Sequence, residues 1–125
     1  MNDTEFYCLH SNLCKTLANE KRQMILGALR SDELTVAELQ KRTAIPQATL
    51  SQHLSMLRGH GVVRTRRAGN HVYYAIANPK IIQAFDLITE VMLETLEQQK
   101  SAADRALSSP SEEQTRPERS RDKTA

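Results

Sequence analysis

Two groups of residues carry side chains whose chemistry goes beyond packing. The first is the thiol pair in FYCLHSNLC, Cys8 and Cys14, with His10 between them. A thiolate is a nucleophile, a two-electron reductant and a soft-ion ligand. The pair therefore suits a switch driven by oxidants or persulfides, or capture of a thiophilic ion such as trivalent arsenic with Cys8, Cys14 and His10 as ligands. The second group lies in PQATLSQHLSMLRGHGVVRTRRAGNHVYYAI, residues 46 to 76. Its first half offers Gln47, Ala48, Ser51, Gln52, His53 and Ser55, and its second half Arg64, Arg66, Arg67, Asn70 and His71. Glutamine pairs bidentately with adenine, serine bonds a base or a phosphate, and alanine touches a thymine methyl. Arginine suits phosphate contact or entry into a narrow minor groove.

The distribution of charge points the same way. From Leu39 to Phe85 there are seven Lys/Arg and no Asp or Glu, in a chain that is 26% charged and carries a net charge of only +2. His53, His60 and His71 fall in the same stretch. A long carboxylate-free segment fits a surface that sits against phosphates. Enzyme chemistry has little to stand on, since no nucleophile, base and orienter grouping, no glycine-rich phosphate loop and no carboxylate pair in a plausible cleft occur. With 4% aromatic residues there is no stacking platform for single-stranded RNA either. No signal-peptide pattern and no run of about 18 apolar residues is present, so a cytoplasmic protein without membrane attachment is expected. In that compartment two cysteines are buried residues, ligands or redox groups rather than a structural disulfide.

Positioning these groups requires a particular order of elements. Phe6, Leu9, Leu13 and Leu17 recur at helical spacing, which predicts a first helix over 4–18. Asn19 caps a second over about 20–30, burying Met24, Ile25, Ala28 and Leu29. Thr35 caps a short third helix, TVAELQKRT. Pro46 suits the first turn of a fourth helix, over about 46–58, which buries Leu50, Leu54 and Leu57 and stops at Gly59 and Gly61. VVRTRRAGNHVYYAI alternates polar and apolar residues around Ala68-Gly69-Asn70, a hairpin signature. Asn78-Pro79 opens a last helix to about Gln99, apolar along Ile81, Ile82, Phe85, Ile88, Met92, Leu93 and Leu96. The fold class expected is mainly α with a β-hairpin wing: a winged helix-turn-helix in the order α-α-α-α-β-β-α. Residues 1–100 make the domain, and 101–125, rich in Ser, Glu, Arg, Pro and Gln, read as a disordered polar tail.

The run ATLSQHLSMLRGHGVVRTRRAGNHVYYAI closely resembles the recognition helix and wing of the ArsR/SmtB-type bacterial repressors. Helix register, glycine, paired arginines, turn and paired tyrosines all align. ANEKRQMILGAL and ELTVAEL look like that family's second and third helices, and the resemblance spans about residues 12 to 98. It implies a homodimer held by the first and last helices, which sits on a palindromic DNA operator and leaves when an inducer binds. The wide apolar side of the last helix agrees, being more than a small monomer covers. A two-fold dimer sets two recognition helices about 34 Å apart, one turn of DNA.

The family's inducer sites do not carry over. Thr35 and Ala37 stand where the third-helix thiols would be in Glu33-Leu34-Thr35-Val36-Ala37-Glu38-Leu39. The last helix keeps Asp86, but Ile88 follows two residues on and there is no histidine. Neither the second nor the last helix has a cysteine. Sensing then falls to Cys8 and Cys14. On one continuous helix they stand about 120° apart in azimuth and about 9 Å apart along the axis, too far for a disulfide, whose Cα atoms lie within about 7 Å. They meet if the chain ahead of Ser11 is not helical, or across a dimer seam. Three readings stay open: a thiol switch, an arsenite or other soft-ion site, and two small apolar residues in a dimer core. In the last case the protein is a winged-helix regulator without an inducer.

Overall fold

The computed structural model describes residues 1–108, in seven elements. These are α1 (Asp3–Leu17), α2 (Glu20–Ala28), α3 (Val36–Thr43), α4 (Gln47–Gly59), β1 (Val63–Ala68), β2 (His71–Ile76) and α5 (Lys80–Ser108). Residues 1–84 form one compact unit, and 85–108 belong to a second.

Local chemistry sets the helix starts. The side chain of Asn2 accepts from the Glu5 amide at 2.8 Å while the Glu5 carboxylate accepts from the Asn2 amide, a reciprocal capping box. Thr35 and Glu38 repeat that device on α3, and Asn19 accepts from the Arg22 amide at 3.1 Å to start α2. Helix α4 differs: Pro46 precedes it, no side chain caps it, and its first turn carries no acid. The turn from α3 to α4 runs through Ala44 at φ 60°, a left-handed residue that ends α3. Beside it the Thr43 hydroxyl donates to the Leu39 carbonyl at 2.7 Å and accepts from the Ile45 amide, which seats Ile45 in the core.

The hairpin pairs Val63 with Ile76 through to Ala68 with His71. Of the two turn residues only Gly69 has positive φ, at 64°, the pattern of a type II′ turn with glycine first. A short third edge joins it: Leu34 and Tyr74 exchange both backbone hydrogen bonds, at 3.0 and 2.8 Å. The α2–α3 connection is thereby tied to the wing.

The core of the first unit is Ile25 and Leu26 from α2 with Leu29 just after it, Leu34, Leu39 and Ile45 around α3, Leu50, Leu54 and Leu57 from α4, Val62 just before β1, and Val63 and Ala75 from the hairpin. The three leucines of α4 are buried as the spacing predicts. On α2 the buried stripe is rotated from expectation: Leu26 is inside and Met24 is exposed. On α1, Phe6, Leu9 and Leu13 are exposed, and on α5 no residue is buried.

Helix α5 also corrects the expected domain end. It continues to Ser108, eight residues into the segment read as a disordered tail. Ala102, Ala103, Arg105, Ala106 and Leu107 are strong helix formers. Scarce large apolar residues argue against a core there, not against continuing a helix already nucleated. The rest of that tail, 109–125, lies outside the described residues.

Candidate nucleic-acid interface

Helix α4 has two faces of opposite kind. Leu50, Leu54 and Leu57 point into the core, whereas Gln47, Ala48, Ser51, Gln52 and Ser55 are exposed. Among the described residues none of these five side chains makes a hydrogen bond or ion pair. At the start of the same helix the uncapped amides carry the positive end of the helix dipole, a setting that favours an anion. Sequence reasoning passed over this feature, although its signal was present: Pro46 stands where Ser, Thr, Asp or Asn would cap.

His53 does not join that outward face. It is half-buried, and its Nδ1 accepts from Arg22 Nε at 3.1 Å. Burial, then the charges of Arg22 and Lys21, hold the imidazole below its ordinary value of 6.5, so it stays neutral and able to accept. Arg22 also donates from Nη1 to the Thr16 carbonyl at 3.2 Å. One guanidinium thus joins the end of α1 to α4, and it engages His53, one of the expected DNA contacts, in the free chain. His53, one step before the buried Leu54, falls at the edge of the buried stripe.

The wing divides its arginines. Arg66 donates to the Glu33 carboxylate from Nη2 at 2.9 Å and from Nε at 3.2 Å to each oxygen. Its guanidinium carbon lies 5.0 Å from the centre of the Tyr73 ring, its cross-strand partner. Arg64, two residues back on the same face, lies 3.7 Å from the same carboxylate. The hydrogen bonds from Arg66, then the nearby charges of Arg66 and Arg64, hold the Glu33 carboxyl below its ordinary range. Arg67 points to the other face, exposed, with no polar partner among the described residues. Asn70 and His71 are exposed at the tip. Glu33 and Arg22 were both missed from sequence, since neither pairing follows a helix or strand period.

These features frame the comparisons. A family model described as a helix-turn-helix domain matches residues 17–66, from the end of α1 into β1. The transcriptional activator HlyU of Vibrio cholerae is 40% identical over 76 residues, 61% of this chain and 70% of HlyU. The biofilm growth-associated repressor of Xylella fastidiosa is 40% identical over 73 residues, 58% of this chain and 64% of the repressor. The solved structure of the homodimeric winged helix-turn-helix DNA-binding domain Mb0332 from Mycobacterium bovis, described as "a possible ArsR-family transcriptional regulator", matches with a TM-score of 0.70. It is 31% identical and covers 78% of this chain and 93% of that one. The chain belongs to the ArsR/SmtB-type winged helix-turn-helix regulators.

As a member of that family it is a DNA-binding transcriptional regulator and not an enzyme. Helices α3 and α4 are its helix-turn-helix, and β1 and β2 its wing. No helix among the described residues is long and apolar enough to cross a membrane. The thiol pair lies apart from these elements, on α1. Helix α1 is continuous through both cysteines, so the non-helical stretch that would bring Cys8 to Cys14 within one chain is not there. Both thiols are exposed and free. Cys14 Sγ lies 3.6 Å from His10 Nδ1, one helical turn away, while Cys8 Sγ accepts from Asn12 Nδ2 at 3.9 Å. His10 therefore pairs with one thiol and not the other. Among the described residues no cluster of three His, Cys, Asp or Glu groups forms within one chain.

Proposed function

We propose that the protein is a cytoplasmic transcriptional repressor that binds a palindromic DNA operator as a homodimer and is released by modification of Cys8 and Cys14. The observation that carries the DNA-reading half is the outward face of α4. It holds five exposed side chains without hydrogen-bond or ion-pair partners among the described residues, beside a wing bearing three arginines. Gln47, Ser51, Gln52 and Ser55 supply base and phosphate contacts, Ala48 a methyl contact, and the wing with Asn70 and His71 grips the backbone. Repression is supported by the relative named as a repressor, which is as similar as the one named as an activator.

The dimer is supported by apolar faces that one chain leaves open. On α1 these are Phe6, Tyr7, Leu9 and Leu13, and on α5 Leu87, Ile88, Val91, Met92, Leu93 and Leu96. A second copy covering them removes these exposed apolar side chains from water.

For release, the continuous α1 favours a bond between protomers. Two thiols then give one disulfide, with two electrons and two protons passing to the oxidant; hydrogen peroxide would leave as two waters. Bridging the two copies through α1 shifts the spacing of the recognition helices. The His10 contact with Cys14 favours a second reading, in which arsenite or another soft ion is held by thiols and imidazole from both copies. Intact-mass measurement after separate exposure to peroxide, a polysulfide and arsenite, with operator binding followed in parallel, distinguishes these readings. Cys8→Ser/Cys14→Ser is expected to bind the operator normally and to ignore the inducer. A double variant still released by the same treatment contradicts the thiol assignment.

A further inference from the structure

We infer that Glu33 is a brake on the wing: a carboxylate that occupies Arg66 and Arg64 as a DNA phosphate would, so that DNA must displace it. The inference rests on the DNA-binding reading above and adds a residue outside the acid-free stretch.

The contact is built rather than incidental. Glu33 precedes Leu34, which is buried and doubly hydrogen-bonded to Tyr74 through the backbone. That bridge fixes the carboxylate beside β1, 33 residues away in sequence. Arg66 meets it with the fork of Nε and Nη2, the mode in which guanidinium takes either a carboxylate or a phosphate. Tyr73 backs the guanidinium from the next strand. Arg64 approaches Oε2, one of the two oxygens that Nε of Arg66 reaches. One acid thus neutralises part of the wing's charge in the free protein.

The contact is also open to exchange. The Arg66 and Arg64 side chains keep 49% and 56% of their surface exposed, so a phosphate can approach both without unfolding the hairpin. Exposed ion pairs are weak and screened by salt. A polyanion offering several phosphates outcompetes one carboxylate, which then faces a negative strand and opposes tight closure. Arg67, on the other face and without such a partner among the described residues, contacts phosphate without this exchange.

The test uses a mixed-sequence duplex, with anisotropy titrations of the full chain at several salt concentrations. Glu33→Gln is expected to tighten binding about tenfold, with a salt slope steeper by about one to two, as for one or two further phosphate contacts. Arg66→Ala should change wild-type binding less than about threefold yet remove most of the gain in the Glu33→Gln background, a non-additivity that a structural role does not produce. Folded Glu33→Gln protein that binds within twofold of wild type, or more weakly, overturns the inference. So does an equal Arg66→Ala effect in both backgrounds. Should Glu33→Gln not fold, the wild-type Arg66 Nε–H resonance decides: it must shift on DNA addition, and an unmoved resonance overturns the brake. Failure of every variant to bind any DNA sinks the DNA-binding reading, and the brake with it.

Discussion

The recognition helix and the wing both expose polar side chains, but they hold them differently. On α4 the outward Gln47, Ser51, Gln52 and Ser55 have no partner within the described chain. On the wing Arg66 is bound three times over by Glu33, and Arg64 leans on the same acid. Unpartnered short groups cost nothing while solvated and are ready to bond a base edge. A guanidinium already satisfied must give something up before it meets a phosphate. The contrast teaches that basic composition alone overstates how much of the wing is free for DNA, whereas the α4 face is all available.

That contrast can be broken in order of effect. The largest change is expected on the side of α4 turned away from solvent. Leu54→Ala should lower unfolding free energy by about 2–5 kcal/mol in a denaturant titration, and a loss below 1 kcal/mol would mean that α4 is not seated as described. Next comes Gln52→Ala, which leaves stability unchanged but should cost about 1–3 kcal/mol of discrimination for the operator over random duplex. Equal losses on both DNAs would remove Gln52 from the base contacts. Arg67→Ala should weaken both DNAs alike and reduce the salt slope by about one; a sequence-dependent loss would make it a base reader.

The smallest expected effect is on the residue that changed sides. His53 titrates below 6.5 in the folded chain, so as pH falls the unfolded chain takes up a proton first. Its stabilisation is complete above 6.5 and is lost as pH drops through 6.5 toward the lower folded value. The wild-type melting temperature should therefore fall more steeply between pH 7.5 and 5.5 than that of His53→Gln. Parallel curves would return His53 to the solvent face.

What was legible in the sequence was local. Caps at Asn19 and Thr35, the α4 leucines and the glycine turn follow from short-range rules, and each stands where those rules put it. The outward face of α4 was legible too, apart from His53, because burying Leu50, Leu54 and Leu57 turns Gln47, Ala48, Ser51, Gln52 and Ser55 to solvent. Contacts made by tertiary approach were not. Glu33 meets Arg66 across 33 residues and Arg22 meets His53 across 31, with no periodicity to announce either. The stripe on α2 is turned from the expected one, with Leu26 rather than Met24 buried in the core. The end of α5 was misjudged because composition was read for packing where helix propensity decides. The thiols were visible at once, yet only the unbroken helix showed that one chain cannot join them.

The central claim is that α4 and the wing tip together read a two-fold DNA site. It is tested most directly by titrating isotope-labelled protein with a palindromic duplex selected from a random pool and following the backbone amides. The account expects one duplex to saturate two chains, with the largest shifts at residues 47–55 and 67–71. Shifts confined to other elements, or a stoichiometry of one chain per duplex, would contradict it.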